Sequence, residues 1–427
     1  MNQTDRLERD LAVWFADTAA PRTPPYFDDI LRQTVGLRQR TRRTFLERFL
    51  PMTTTTSFRA VTGSVPWRTV GALALLILAL MVGALWVGST LGRVPAPFGP
   101  AGAGLVAYSQ DGDVFVVDPA TNQRRSVVTG AEDDLDPQWS RDGTRIVFER
   151  QGGRLSGLFT VRPDGSALTP ITPSPITIMR VDGPDYAFSP DGRSVLFLSS
   201  YTIQIAQSDG SGVTAVDTSS STSLLTAVAW RPPDGSQIGA VGRGGSVYLV
   251  DVADGAVRTL VSPVDGVEAS GIAWSPDGSE LAYHPWSTTA YAFTVRARIV
   301  DIGSGRDRLA DPHGADADWD ASAEWSNDGQ RLAIIRGHTP AGYSDVTFAV
   351  MRADGTGPRV ETEHGLVLNS ECCATFEWAP DDSSILWTPV DASATRQAQL
   401  LIDPHTGVVT PALWQAISDP AWQRTAP

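Results

Sequence analysis

"IAWSPDGSELAYHP", residues 272–285, is one copy of a phrase that recurs along the chain. Aligned on its aromatic residue, the copies are "QWSRDG" at Trp139, "AFSPDG" at Phe188, "AWRPPDG" at Trp230, "AWSPDG" at Trp274, "EWSNDG" at Trp325 and "EWAPDD" at Trp378. A seventh aromatic, Trp422 in "PAWQRTAP", is followed by only five residues. Spacings of 49, 42, 44, 51, 53 and 44 residues fall in the range of repeat architectures built from one supersecondary unit per repeat.

Each unit reads as strands and turns. The aromatic closes a short extended stretch. In S-P-D-G, proline presets φ for a turn, aspartate bonds its own backbone, and glycine accepts positive φ. An apolar or alternating run follows (Arg145–Phe148, Val195–Leu198, Glu280–Tyr283, Ile385–Trp387), as in a buried or half-buried strand. A third segment ends at a second turn, as in "VYLVDVADG" at 247–255, and a short fourth follows, such as "VRTLV" at 257–261. Four antiparallel strands per unit make one propeller blade.

The incomplete copies are complementary. Residues 105–128, "LVAYSQDGDVFVVDPATNQRRSVV", supply the later strands of a unit without its opening; Trp422 supplies an opening with nothing after it. Joined, they make a seventh blade and leave no free sheet edge. The fold class expected is therefore all-β: a seven-bladed β-propeller of four-stranded antiparallel blades closed by both chain ends. Over roughly 102–427 the repeat resembles that of the TolB-type β-propellers, a WD-repeat-like family, which implies the same ring. Two copies depart from the phrase: 231–235 is one residue longer, and Asp382 stands where glycine is usual. Both departures are expected to blur the local turn.

Upstream of the ring, Thr69–Leu91 contains no charge. Twenty-three helical residues reach about 35 Å, enough for a hydrocarbon core of about 30 Å. The run is too long and too deep in the chain for a cleaved signal, so one transmembrane helix is expected over 69–91, in contact with membrane lipid. Arg48, Arg59, Arg68 and "RQRTRR" at 38–43 precede it and only Arg93 follows closely, which predicts a single-pass protein of the cytoplasmic membrane, with a cytoplasmic N-terminus and an extracytoplasmic propeller. Ala84, Gly88 and Gly92 share a four-residue spacing that suits close helix approach, but glycine is common in such helices and assigns no dimer. Residues 92–104 read as a Pro/Gly-rich stalk, with the propeller over 105–427.

Leu7, Leu11 and Phe15, then Phe27, Ile30 and Leu31, give 1–50 the pattern of short amphipathic cytoplasmic helices; 51–68 reads as a flexible tether. The arginines of this segment first suggest topology and anionic lipid. Docking of a cytoplasmic partner on 1–50, as in an anti-sigma-type regulator, is the sharper reading. Its zinc-binding form is excluded, because no His precedes His284 and no Cys precedes Cys372.

The chain carries 34 basic residues, all Arg, and 48 acids. Residues 1–68 hold 11 Arg against 7 acids; 69–427 hold 23 against 41. An acidic ring repels phosphate backbones, so nucleic acid is not expected as a partner.

No side chain is assigned a catalytic, cofactor, metal or ligand-binding role. His284, His313, His338, His364 and His405 are scattered rather than at ligand spacing. Cys372 and Cys373 are adjacent and suit either a strained vicinal disulfide or inert burial. Asp316, Asp318 and Asp320 in "DADWD" alternate as in a calcium loop, but Ala321 and Asn327 stand where that loop needs Gly and Glu; solvated loop carboxylates are expected. G-x-S-x-G, G-x-G-x-x-G and P-loop motifs do not occur. The leading expectation is a membrane-anchored, non-enzymatic scaffold that binds an envelope protein or small ligand. The alternatives are a transmembrane signal transducer with the ring as sensor, and a propeller hydrolase or lactonase.

Overall fold

The computed structural model describes residues 95–426, apart from 153–155, 180–184, 219–221, 223, 243, 263–266, 288–295, 315–318, 339–345, 363–375, 390–398 and 415–419. The chain separates into compact units Met1–Gly83 and Ala84–Pro427, and every described residue belongs to the second. The expectations for 1–50, 51–68, the span at 69–91, His364, Asp316, Asp318, Cys372 and Cys373 lie outside the described residues. None of the described residues forms a helix long and apolar enough to cross a membrane.

Seven four-stranded antiparallel sheets form the propeller. In each, the strand carrying the repeat aromatic lies at one edge, and from blade 1 to blade 3 and from blade 4 to blade 7 successive strands of this kind contact one another, which marks them as the inner wall of the ring. They are Ala421–Thr425 in blade 1, Asp133–Trp139 in blade 2, Tyr186–Phe188 in blade 3, Leu225–Trp230 in blade 4, Val267–Trp274 in blade 5, Trp319–Trp325 in blade 6 and Phe376–Trp378 in blade 7. Blade 1 is completed by Gly102–Gln110, Asp113–Val117 and Arg124–Val128, so both chain ends share one sheet. Val106 pairs with Trp422 and Ala107 with Ala421.

This first strand begins at Gly102, inside the stretch read as a stalk. Its glycines serve close approach rather than flexibility: a Cβ on Gly102 would sit 2.5 Å from Thr425 Oγ1, and one on Gly104 2.7 Å from Gln423 Oε1. Composition alone cannot separate these uses of glycine.

The core lies between blades. Trp230 Nε1 donates to Ala187 O at 3.1 Å, Trp274 Nε1 to Ala229 O at 3.2 Å, and Trp378 Nε1 to Glu324 O at 3.2 Å. In blades 4, 5 and 7 the repeat tryptophan thus buries its ring between two blades while its one polar atom reaches the preceding inner strand; the indole N–H groups of Trp139, Trp325 and Trp422 are buried without a partner among the described residues. Between blades 6 and 7, Phe348 meets Phe376 and Trp387 edge-on, both at 5.1 Å between ring centroids. Five residues before and eleven after the aromatic, Asp134 and Arg150 of blade 2 form a two-point ion pair at 2.7 and 2.8 Å. The same positions in blade 6 hold Asp320 and Arg336, at 2.9 Å.

Asp320 is therefore no solvated loop carboxylate. It is 7% exposed in a strand, and also accepts from Ala297 N at 2.8 Å and Arg296 Nε at 3.3 Å. A buried carboxylate persists only when its lone pairs are taken.

The repeated turns take the expected form. Gly192 N donates to Ser189 O at 2.9 Å and Gly278 N to Ser275 O at 2.8 Å, with φ of +69° and +68°. Asp277 Oδ1 accepts from Ser275 Oγ, Ser279 N and Ser279 Oγ. The departures do not blur these turns. Asp382 takes φ +58° in the glycine position, and its N–H donates to Ala379 O at 2.8 Å. Asp tolerates this conformation better than most side chains, and its carboxylate has work here. The longer turn still closes, with Gly235 N donating to Arg231 O at 3.1 Å.

Candidate functional site at the ring axis

Two positions in each repeat border the axis: the residue before the aromatic and the residue two after it. In blades 3, 4 and 5 the first is Ala187, Ala229 and Ala273, and the second is Pro190, Pro232 and Pro276. The other four blades carry polar residues there. Blade 6 has Glu324 and Asn327, blade 7 has Glu377 with Pro380, blade 1 has Ala421 with Arg424, and blade 2 has Gln138 and Arg141. Proline at the second position offers neither an N–H nor a polar side chain; Arg141, Asn327 and Arg424 supply donors in its place.

These residues converge from four blades. Arg424 Nη1 donates to Asn327 Oδ1 at 2.7 Å. Asp382 Oδ1 accepts from Asn327 N at 2.7 Å and Asn327 Nδ2 at 2.9 Å, while its Oδ2 accepts from Asp328 N at 2.9 Å. The aspartate in the glycine position thus ties the turn of blade 7 to that of blade 6. Glu377 Oε2 accepts from Trp422 N at 2.8 Å, and Gln423 joins Leu105 N to Gly143 O. Arg141 is surrounded by protein yet open to water, as a channel wall is.

Burial and like charge set the protonation. Burial, reinforced by Glu377, pushes the Glu324 carboxyl up to about 8 against the pull of Arg141. Burial pushes Glu377 up to about 7, opposed by the Trp422 N–H, Arg141 and Arg424. Burial and then Arg141 lower Arg424 to about 10, against Glu377 and Asp382. Arg141 is lowered by burial as well, with both glutamates opposing. Two carboxyls near neutrality beside two guanidinium groups can donate to acceptor groups, exchange protons, or bind charge.

The segment entering the ring crosses this level. Arg424 Nη2 donates to Ala96 O at 3.3 Å and to Gly99 O. The Arg141 guanidinium carbon lies 4.8 Å from the Phe98 ring centroid, and Ala101 N donates to Pro380 O at 2.8 Å. All three ring partners occupy the position two after the aromatic, in blades 1, 2 and 7.

The histidines are not brought together. His284 is buried in the second strand of blade 5, His338 sits 2.8 Å from Thr347 Oγ1, and His405 lies 3.4 Å from Arg331. Among the described residues, no group of three His, Cys, Asp or Glu side chains is placed to hold a metal. A groove between blades 3 and 4 is bordered by Asp191, Asp234 and Asp254, but these close their own turns through Ser189, Ser236 and Ala256. Sequence reasoning missed the axial residues. The usable signal was comparison across copies: glutamate or glutamine instead of alanine before the aromatic, and a donor instead of proline two after it.

No protein-family model matches the chain, and no curated protein matches it. Solved structures share its fold. An oligogalacturonate lyase in complex with manganese is 14% identical with a TM-score of 0.52, over 70% of this chain and 86% of that one. The β-propeller domain of the Trilobed protease from Pyrococcus furiosus, described as an open velcro topology, is 12% identical with a TM-score of 0.50, over 73% and 97%. TolB from Acinetobacter baumannii is 16% identical with a TM-score of 0.44, over 75% of this chain; this chain covers 66% of its length, just under two thirds. At these identities the likeness is one of fold.

Proposed function

We propose that this protein is a membrane-anchored, extracytoplasmic binding module whose ligand site is the polar half of the ring axis. The observation that carries the reading is the convergence of Glu324, Asn327, Glu377, Arg141 and Arg424 from four blades onto one level of the axis. Charged groups drawn partly out of water cost stability unless they are paired, and the alanines and prolines of blades 3–5 fill the same positions without charge. The anchor rests on the uncharged run 69–91, and the orientation on the arginines before it. With 1–50 cytoplasmic and 51–68 and 92–104 as connections, the same layout would let an axial ligand be sensed across the membrane.

A second reading is favoured by the two raised carboxyls. Glu324 at about 8 is protonated at neutral pH and suits a general acid, with Glu377 at about 7 as its counterpart base. Purified full-length protein in detergent should bind an envelope partner or small ligand and show no turnover on ester, lactone, peptide and uronate-polysaccharide panels. Hydrolysis or elimination that disappears in Glu324→Gln would replace the binding reading with the enzymatic one.

A further inference from the structure

The guanidinium of Arg424 is 5% exposed as a residue, and its donors are unevenly used. Nη1 is committed to Asn327 Oδ1. Nη2 is shared between the backbone carbonyls of Ala96 and Gly99. Nε is buried with no partner among the described residues. Nε and Nη2 form the side edge of the guanidinium fork, which meets both oxygens of a carboxylate at once. Here that edge faces two neutral carbonyls bonded through one nitrogen.

The charges around this edge point the same way. Arg141 lies near enough to Arg424 to repel it. It makes no hydrogen bond among the described residues and is covered by the face of Phe98. Glu377 offsets the pair only in part: its Oε2 is held by Trp422 N, and its burial favours the neutral form against the pull of both cations. Asp382 spends both carboxylate oxygens on the turn of blade 6. Two cations beside each other, one with an unpartnered buried donor, make a site for an oxyanion.

Resting on the binding-module reading above, we propose that the Nε–Nη2 edge of Arg424, with Arg141 beside it, binds a carboxylate group of the ligand, and that Pro95–Gly99 is a strap which the carboxylate displaces. The strap holds by two neutral carbonyls and one ring–cation contact. A charge-assisted, two-point bond is roughly twice as strong per hydrogen bond as the neutral ones it replaces. Exchange of partners therefore favours the anion, and it frees the strap without disturbing Ala421–Thr425, which is held by the sheet.

The test uses the full chain in detergent, hydrogen exchange followed by mass spectrometry over 95–101, and citrate, inorganic phosphate and chloride at matched ionic strength. Pro95, Pro97 and Pro100 carry no amide hydrogen, so the readout is the Ala101 N–H that donates to Pro380 O at 2.8 Å; citrate should speed its exchange about tenfold, with chloride inert. A response to phosphate as well identifies a general oxyanion site; a response to citrate alone identifies a carboxylate site. Arg424→Lys, which keeps the charge and loses the fork, should abolish the response. Phe98→Ala should loosen the strap and lower the citrate concentration for half-response several-fold, and this arm decides the matter if the lysine variant does not fold. Unchanged strap exchange with both anions, or an Arg424→Lys protein that responds like the parent, overturns the proposal. Either result leaves the binding-module reading intact, since that reading fails on turnover instead.

Discussion

Blades 3–5 and blades 6, 7, 1 and 2 run the same backbone past the same axis with opposite chemistry. In the first group alanine and proline fill the two axial positions, and the one arginine in these turns, Arg231, donates to a backbone carbonyl, Gly278 O, rather than to another axial side chain. In the second, Glu324, Asn327, Glu377, Arg424, Gln138 and Arg141 occupy them; Arg424 bonds Asn327 across a blade boundary, and Glu377 and Asp382 accept from backbone N–H groups of the neighbouring blades. Fold requirements are equal in both groups, so the polar set is not needed to make a blade. What differs is what the axis can bind.

The largest expected break of this contrast is Arg424→Met. It strips Asn327 Oδ1 and the Ala96 and Gly99 carbonyls of their donor, and leaving a buried polar group unmatched costs about 1–3 kcal/mol each. Pro276→Met, at the matching position of blade 5, should cost well under half as much. Urea midpoints of the two variants compare them directly; equal losses would show that the charged half is not energetically distinct. Next is Asp382→Gly, which restores the usual turn residue but removes three hydrogen bonds to Asn327 and Asp328. A loss of about 1–3 kcal/mol is expected, where a better turn former alone would predict a gain.

The pH dependence sharpens the same comparison. The Glu324 carboxyl has an ordinary value of 4.5 and is raised to about 8 in the fold. Between those values the folded chain holds a proton that the unfolded chain has released. Stability from this group is therefore complete below about pH 4.5 and declines as pH rises towards 8. Glu324→Gln should flatten the fall in urea midpoint between pH 5 and pH 8.5, whereas Ala273→Gln, in the same position of blade 5, should leave it unchanged. The smallest effect belongs to Phe98→Ala, which removes one ring–cation contact at a water-exposed guanidinium and should lower stability by about 0.5–1 kcal/mol. Its thermal midpoint measures this.

Sequence patterns carried the ring itself. The phrase around Trp274 could be read because its parts act locally: proline and glycine set turn dihedrals, aspartate bonds backbone two residues on, and alternation selects a face. Closure was readable because a strand lacking a partner and an opening lacking a continuation are complementary wherever they occur. Two local readings failed for a shared reason. Gly102 and Gly104 looked like linker, and Asp320 like a solvated loop residue, because neither composition nor spacing shows what lies opposite. Thr425 and Gln423 pack onto the glycines, and Arg336 and Arg296 reach the aspartate.

The residues of this chain by themselves determine seven repeats, their turns, and the joining of Gly102–Gln110 to Ala421–Thr425, because each depends on interactions within a repeat or on the pairing of two matching fragments. The axial cluster was decided only in three dimensions. Gln423 and Gly143 stand 280 residues apart in the chain and share a hydrogen bond, and Arg141 meets Phe98, Glu324 and Glu377 only once the ring has closed. Charge at an axis is a property of the closed circle: blades 6, 7, 1 and 2 each contribute one or two polar side chains, and their burial, repulsion and pairing exist only when all are brought to the same line.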